Sequence, residues 1–152
     1  MDALQSLFAT SQATDILLLV LRIALGLVIF PHGAQKLLGW FGGFGYSGTM
    51  NYFTKTMHIP YLFGLLAIIA EFFGSLALMA GLLVRPAALG IGVTMLVAAW
   101  LVHRPNGFFM NWFGSQQGEG YEYFILAVGV AAVLVIAGAG AWSLDALLLA
   151  NR

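Results

Sequence analysis

Apolar residues dominate four stretches of this chain, at about 16–38, 61–84, 86–103 and 121–142, while most polar residues gather between them. Each stretch approaches the roughly 20 residues that cross about 30 Å of hydrocarbon at a rise of 1.5 Å per residue. The stretches are apolar around most of their circumference, whereas a helix of a soluble bundle keeps a polar outer face. The pattern predicts one membrane domain over 1–152: an all-α, four-transmembrane-helix bundle. The connection Leu83-Val84-Arg85-Pro86 is tight, and Pro86 suits the first turn of a helix, so the second and third stretches form an antiparallel hairpin. Four crossings put both termini on one side with Arg85 and Arg152, and the connections 39–60 and 104–120 on the other. The first of these is rich in glycine and aromatic residues, a composition suited to the headgroup zone. An interfacial aromatic loop is therefore expected after helix 1, with a short interfacial helix at 50–58.

Composition sharpens the class. Charged residues make up 8% of the 152, against 61% hydrophobic, with a mean hydropathy of +0.94; soluble domains carry about 25% charged residues. The net charge is zero without any basic run, which argues against nucleic acid and polybasic lipid recognition. Cysteine is absent, which excludes disulfides, thiolate metal sites and iron–sulfur clusters within the chain. The first fourteen residues carry no Lys or Arg, and the apolar run that follows exceeds a signal-peptide core of about 7–15 residues, so a retained helix is expected. Lys and Arg are nearly balanced between the two faces, and the positive-inside rule assigns no orientation.

Against this background the ionisable residues inside the apolar stretches stand out: Arg22, His32 and Lys36 in the first, Glu71 in the second, Glu122 early in the fourth. A charge at the centre of a membrane helix costs at least about 2.5–3.5 kcal/mol, so it faces a partner, a cavity or a pathway. Counted from the ends of their stretches, Arg22 and Glu71 differ by only roughly 6 Å in depth, at 1.5 Å per residue in a core of about 30 Å. A buried Arg22–Glu71 ion pair is expected, acting in helix register or in ligand and proton handling. Nearer the loop side, His32, Lys36, His103 and Glu122 are expected around one pocket able to hold a quinone head group, an acidic small molecule or a metal ion. No two histidines share the i, i+4 spacing of a helical metal pair, so no metal site is assigned. Pro31 should bend the first helix beside His32 and free a backbone carbonyl near Leu27. Small residues around Glu71 (Gly64, Gly74, Ser75, Gly81) turn it toward the bundle interior.

The run from Arg22 to Gly39, with Phe30-Pro31-His32-Gly33 and Lys36 inside it, resembles the opening signature of the DoxX family. Glu71-Phe-Phe-Gly74, Gly81 to Pro86, His103-Arg-Pro-Asn106-Gly107 and Gly120-Tyr121-Glu122-Tyr123 extend the resemblance over about 21–140. It implies a four-helix bundle in a prokaryotic inner membrane with both termini cytoplasmic. It further implies association with membrane redox complexes, since the namesake subunits belong to a thiosulfate:quinone oxidoreductase. The residues carried over are Arg22, His32, Gly33, Lys36, Glu71, His103, Asn106 and Glu122. Two functions follow as expectations. One is a redox-associated subunit binding a quinone or similar lipophile, with His32, Lys36, His103, Asn106 and Glu122 handling ligand or protons. The other is a non-catalytic scaffold recruiting partner proteins through its aromatic loops. Either is expected to act with a protein partner or as a homo-oligomer in the bilayer; enzymatic activity is left unassigned.

Overall fold

The computed structural model describes residues 12–150; Asp2 and Arg152, at the expected termini, lie outside them. Helix α1 is Gln12–Leu38, α2 is Gly45–Asn51, α3 is Tyr61–Ala80, α4 is Val84–Asn106, α5 is Glu122–Ala137 and α6 is Leu144–Ala150, with no strand among the described residues. Helices α1, α3 and α4 are long and apolar enough to cross a membrane; α5, at 16 residues, is shorter.

One face of each long helix meets a common core. Leu18, Arg22, Leu25 and Ile29 of α1 are buried at intervals of four, three and four residues, as are Val84, Ala88, Ile91 and Met95 of α4. Phe124, Ala127, Ala131 and Leu134 of α5 fall at three, four and three, and Leu78 completes the cluster from α3. Such spacing keeps one stripe on the inside of a helical bundle. The outer faces are apolar too, with Leu27, Val28, Leu66, Phe73, Val93, Leu96, Leu126 and Ile136 exposed. Apolar surface on this scale is tolerated when the surrounding solvent is hydrocarbon.

Helices α1 and α3 run antiparallel at backbone contact. A Cβ on Gly33 would fall 2.6 Å from the Glu71 carbonyl carbon, and one on Gly26 would fall 2.9 Å from the Ser75 oxygen. These two glycines, seven residues apart, fix the register. Within α3 the contact coincides with a π-helical turn, Ala70–Gly74, and α4 carries another at Ala99–His103. Such turns insert a residue into the helix and re-aim the side chains around it.

Three stretches depart from expectation. The connection after α1 folds back along the bundle: Gly43 lies so close to the Gln35 backbone that a Cβ would meet it at 2.3 Å, and Phe53 and Met50 pack on Gly64. A short α-helix at Gly45–Asn51 runs into a π turn at Tyr52–Thr56, earlier than the helix expected at 50–58. Helix α3 stops at Ala80 because Gly81 adopts a left-handed backbone (φ 72°). Helix α5 likewise stops at Ala137, ahead of Gly138 (φ 85°), so the apolar residues that follow leave the helix axis.

Residues 138–150 then fold over the α3–α4 turn. The Asp145 carboxylate accepts from the Leu83 and Val84 amides at 2.8 and 3.0 Å, and the Asp145 amide donates to the Gly81 carbonyl at 2.9 Å. The orphan donors at the start of α4 are thus capped by a residue from α6. Asp15 accepts from the Ala141 amide at 2.9 Å, tying the start of α1 to the same segment.

Candidate functional site

The charged residues of the bundle separate into three places. At the end holding the α3–α4 turn, Arg22 is fully buried and donates through Nη2 to the Trp142 carbonyl at 2.5 Å. Gly81 makes room for the guanidinium, since a Cβ there would collide with Nη1. Its Nε and Nη1 have no hydrogen-bond partner among the described residues. The expected Arg22–Glu71 pair is not formed. The glycine contacts set Gly33 against Glu71, leaving Arg22 eleven residues, about 16 Å, further along α1 at 1.5 Å per residue. The depth estimate failed because α1 begins at Gln12 and overshoots the end of α3.

Near the middle of α3, Glu71 finds a different partner. Lys36 Nζ donates to Glu71 Oε2 in a salt bridge; the Glu71 side chain is 3% exposed and that of Lys36 is 27%. The π turn carries the carboxylate inward while Gly33 admits the backbone behind it. A buried carboxylate without such a partner would be strongly disfavoured, so the pair secures the charge at this depth. Two neighbours complete the setting. His32, one turn before Lys36, lies within electrostatic range of both members of the pair. Tyr123, on α5, lies within electrostatic range of Glu71, and its hydroxyl is buried with no hydrogen-bond partner among the described residues.

Beside Lys36 the folded-back connection leaves a pocket of about 260 Å³. Gln35 and Lys36 of α1 line it together with Gly43, Phe44, Thr49 and Phe53 of the returning connection. Gln35 Nε2 donates to the Phe41 carbonyl, which orients the amide and leaves its oxygen available as an acceptor. Lys36 uses one of its three donors on Glu71. The pocket therefore offers a charged donor and neutral acceptors between aromatic walls. A hydrogen bond between the Tyr46 and Tyr61 hydroxyls ties α2 to the start of α3 and raises the Tyr46 phenol above its ordinary range.

The third place is the connection after α4, where several of the expected pocket residues bind the loop itself. Glu122 accepts from the Met110 amide at 2.8 Å and Glu119 from the Asn111 amide at 2.7 Å. The Glu119 carbonyl meets His103 Nδ1 at 2.9 Å and Asn106 Nδ2 at 3.0 Å, and the His103 ring stacks on Phe124 at 4.2 Å. The single pocket expected for His32, Lys36, His103 and Glu122 is thus divided. His32 and Lys36 stand with Glu71, while His103, Asn106 and Glu122 hold the second connection to the ends of α4 and α5. This loop is 15 residues of polar and aromatic sequence between Asn106 and Glu122, and carboxylates are the strongest acceptors for its unpaired amides. Gln35, Thr49, Tyr52 and Tyr123 were not singled out from sequence. Tyr123 alone carries a signal, as a hydroxyl beside Glu122 at the start of a helix that is apolar beyond them; the others depend on the return of the first connection.

Comparison with known proteins adds identity to this geometry. Residues 17–104 match the DoxX family model, a stretch that contains His32, Lys36, Glu71 and every residue lining the pocket. Inner membrane protein YqjF of Escherichia coli (strain K12) is 31% identical over 134 residues, covering 88% of this chain and 93% of that protein. No solved structure matches the chain. With a family match over more than half its length and a full-length relative, the chain belongs to the DoxX family of membrane proteins.

Proposed function

We propose that this chain is a four-span protein of a bacterial inner membrane that binds the head group of a quinone or similar lipophile beside Lys36, as a redox-associated subunit. The observation that carries the reading is the pocket of about 260 Å³ with Lys36 on its wall and the buried Glu71 carboxylate behind it. Small-molecule sites combine apolar walls with a few well-placed polar groups, and this one pairs Phe44 and Phe53 with Lys36, Gln35 and Thr49. Lys36 supplies a hydrogen bond to a carbonyl oxygen of the ligand, and Glu71 holds the ammonium in place. Helix α5 is read as the fourth crossing; its 16 residues span about 24 Å at 1.5 Å each, which a modest local thinning accommodates. The location follows the inner-membrane relative, and cytoplasmic termini follow the family resemblance. A protein partner or a second copy completes the functional unit.

Binding of a short-chain quinone to the protein in lipid nanodiscs tests this directly. Lys36→Ala should weaken binding at least about tenfold, equivalent to about 1.4 kcal/mol, with helical content unchanged by circular dichroism. Undiminished binding by a folded Lys36→Ala protein would remove the site.

One observation favours the scaffold reading as the second choice. Trp112 and Phe113, at the tip of a tightly bonded loop, are 78% and 94% exposed. Under that reading Trp112→Ser with Phe113→Ser abolishes partner capture while Lys36→Ala leaves it intact.

A further inference from the structure

His32 occupies a place where an unpartnered imidazole is costly. Glu71 lies ten residues into a 20-residue helix, so about 15 Å along a span of about 30 Å at 1.5 Å per residue. The backbone contact between Gly33 and Glu71 brings the adjacent His32 to the level of Glu71, six residues inside the end of α1 at Leu38. Gly33 and Ala34 are buried, but His32 is exposed on the outer surface of the bundle. It makes no hydrogen bond among the described residues; the charged groups near it are Lys36 on its own helix and Glu71 on α3. Polar groups facing hydrocarbon without a partner are disfavoured by kilocalories, which is why they normally mark a pathway or an interface. A second polar group lies close by. Pro31 has no amide proton, so the Leu27 carbonyl one turn earlier loses its helical partner, and Leu27 is on the exposed surface.

His32 and Lys36, four residues apart, lie on one face of α1, and Lys36 lines the pocket with Gln35. From this continuity we infer that the ligand of the Lys36 site enters sideways from the hydrocarbon across His32, which hydrogen-bonds the head group before it reaches Lys36. The inference rests on the ligand reading above and adds the route, by which a molecule with a hydrogen-bonding head keeps its tail in lipid. His32 is a positioning residue for entry, and the exposed Val28, one turn earlier on the same face of α1, gives the tail an apolar surface to lie against.

The test compares two probes on one protein in nanodiscs of phosphatidylethanolamine and phosphatidylglycerol: a decyl-tailed benzoquinone and its tail-less, water-soluble analogue. In His32→Leu the association rate of the tailed probe relative to the tail-less one should fall about tenfold, while Lys36→Ala weakens both probes alike. The mass of the detergent-solubilised particle is measured in parallel. An unchanged ratio in His32→Leu, with Lys36→Ala still losing both probes, would overturn lateral entry and leave the pocket standing. A change in particle mass in His32→Leu would overturn it in favour of a helix–helix contact at this face. Equal binding by wild type and Lys36→Ala would instead remove the pocket reading, and the route with it.

Discussion

Gly33 and Glu71 set each other's environment. Because Gly33 has no side chain, α1 reaches the backbone of α3, and Glu71 is pressed inward to where Lys36 answers its charge. A methyl group at Gly33 has nowhere to go but into that backbone. Gly33→Ala should therefore destabilise by about 1–3 kcal/mol, the usual cost of overpacking, read as a lower melting temperature in detergent. The salt bridge yields a second expectation. Glu71→Gln leaves the half-buried Lys36 without its counter-charge and should cost about 1–3 kcal/mol. The double replacement Lys36→Met with Glu71→Met, which puts apolar volume in place of both charges, should recover most of that loss while losing the ligand. If the double variant is no more stable than Glu71→Gln, the pair is not a compensated unit. Charge in an apolar stretch was visible in the sequence for all of these residues. Their partners were not, because pairing depends on helix register, and the register is set by Gly26 and Gly33 rather than by hydrophobicity.

Among the elements, the two long connections behave oppositely to their composition. The glycine-rich one packs against α1 and α3 and builds a pocket, while the polar one is knitted into a lobe by its own carboxylates. Glu122→Gln should weaken the Met110 contact by about 1 kcal/mol and loosen the lobe, seen as faster amide exchange at Met110 and Asn111 without loss of the bundle. Sequence reading located four apolar helices but ran two of them too far. Gly81 and Gly138 take left-handed backbone and stop α3 and α5, though the residues beyond them remain apolar. Hydropathy reports what a residue tolerates around it, and it is silent on where the helix axis ends. The pocket was illegible for a related reason: it exists only because the chain turns back at Gly42 and Gly43, and Gly43 is tight enough against Gln35 to exclude any side chain.

At the scale of the whole molecule, large apolar side chains both fill the core and cover the outer faces of the helices, and Asp15, Arg22 and Glu71 are buried among them. The start of α1 and the last described helix lie together, joined through Asp15 and Ala141. Single-cysteine variants at Gln117 and Leu147 should consequently be labelled by a membrane-impermeant reagent from opposite sides of inverted vesicles; labelling of both from one side would contradict four crossings.

The cap that Asp145 places on the first turn of α4 also constrains the order in which this protein can be finished. Leu83 and Val84 leave the ribosome some sixty residues before the carboxylate that satisfies their amides. Until then the α3–α4 hairpin sits in the membrane with its turn open, and Arg22 lacks the Trp142 carbonyl that accepts its hydrogen bond. Synthesis therefore passes through a stage in which α3 and α4 are made but the bundle is unlatched. A tag or truncation near Asp145 would act on assembly and turnover of the nascent protein, far from the pocket and before any ligand has met it.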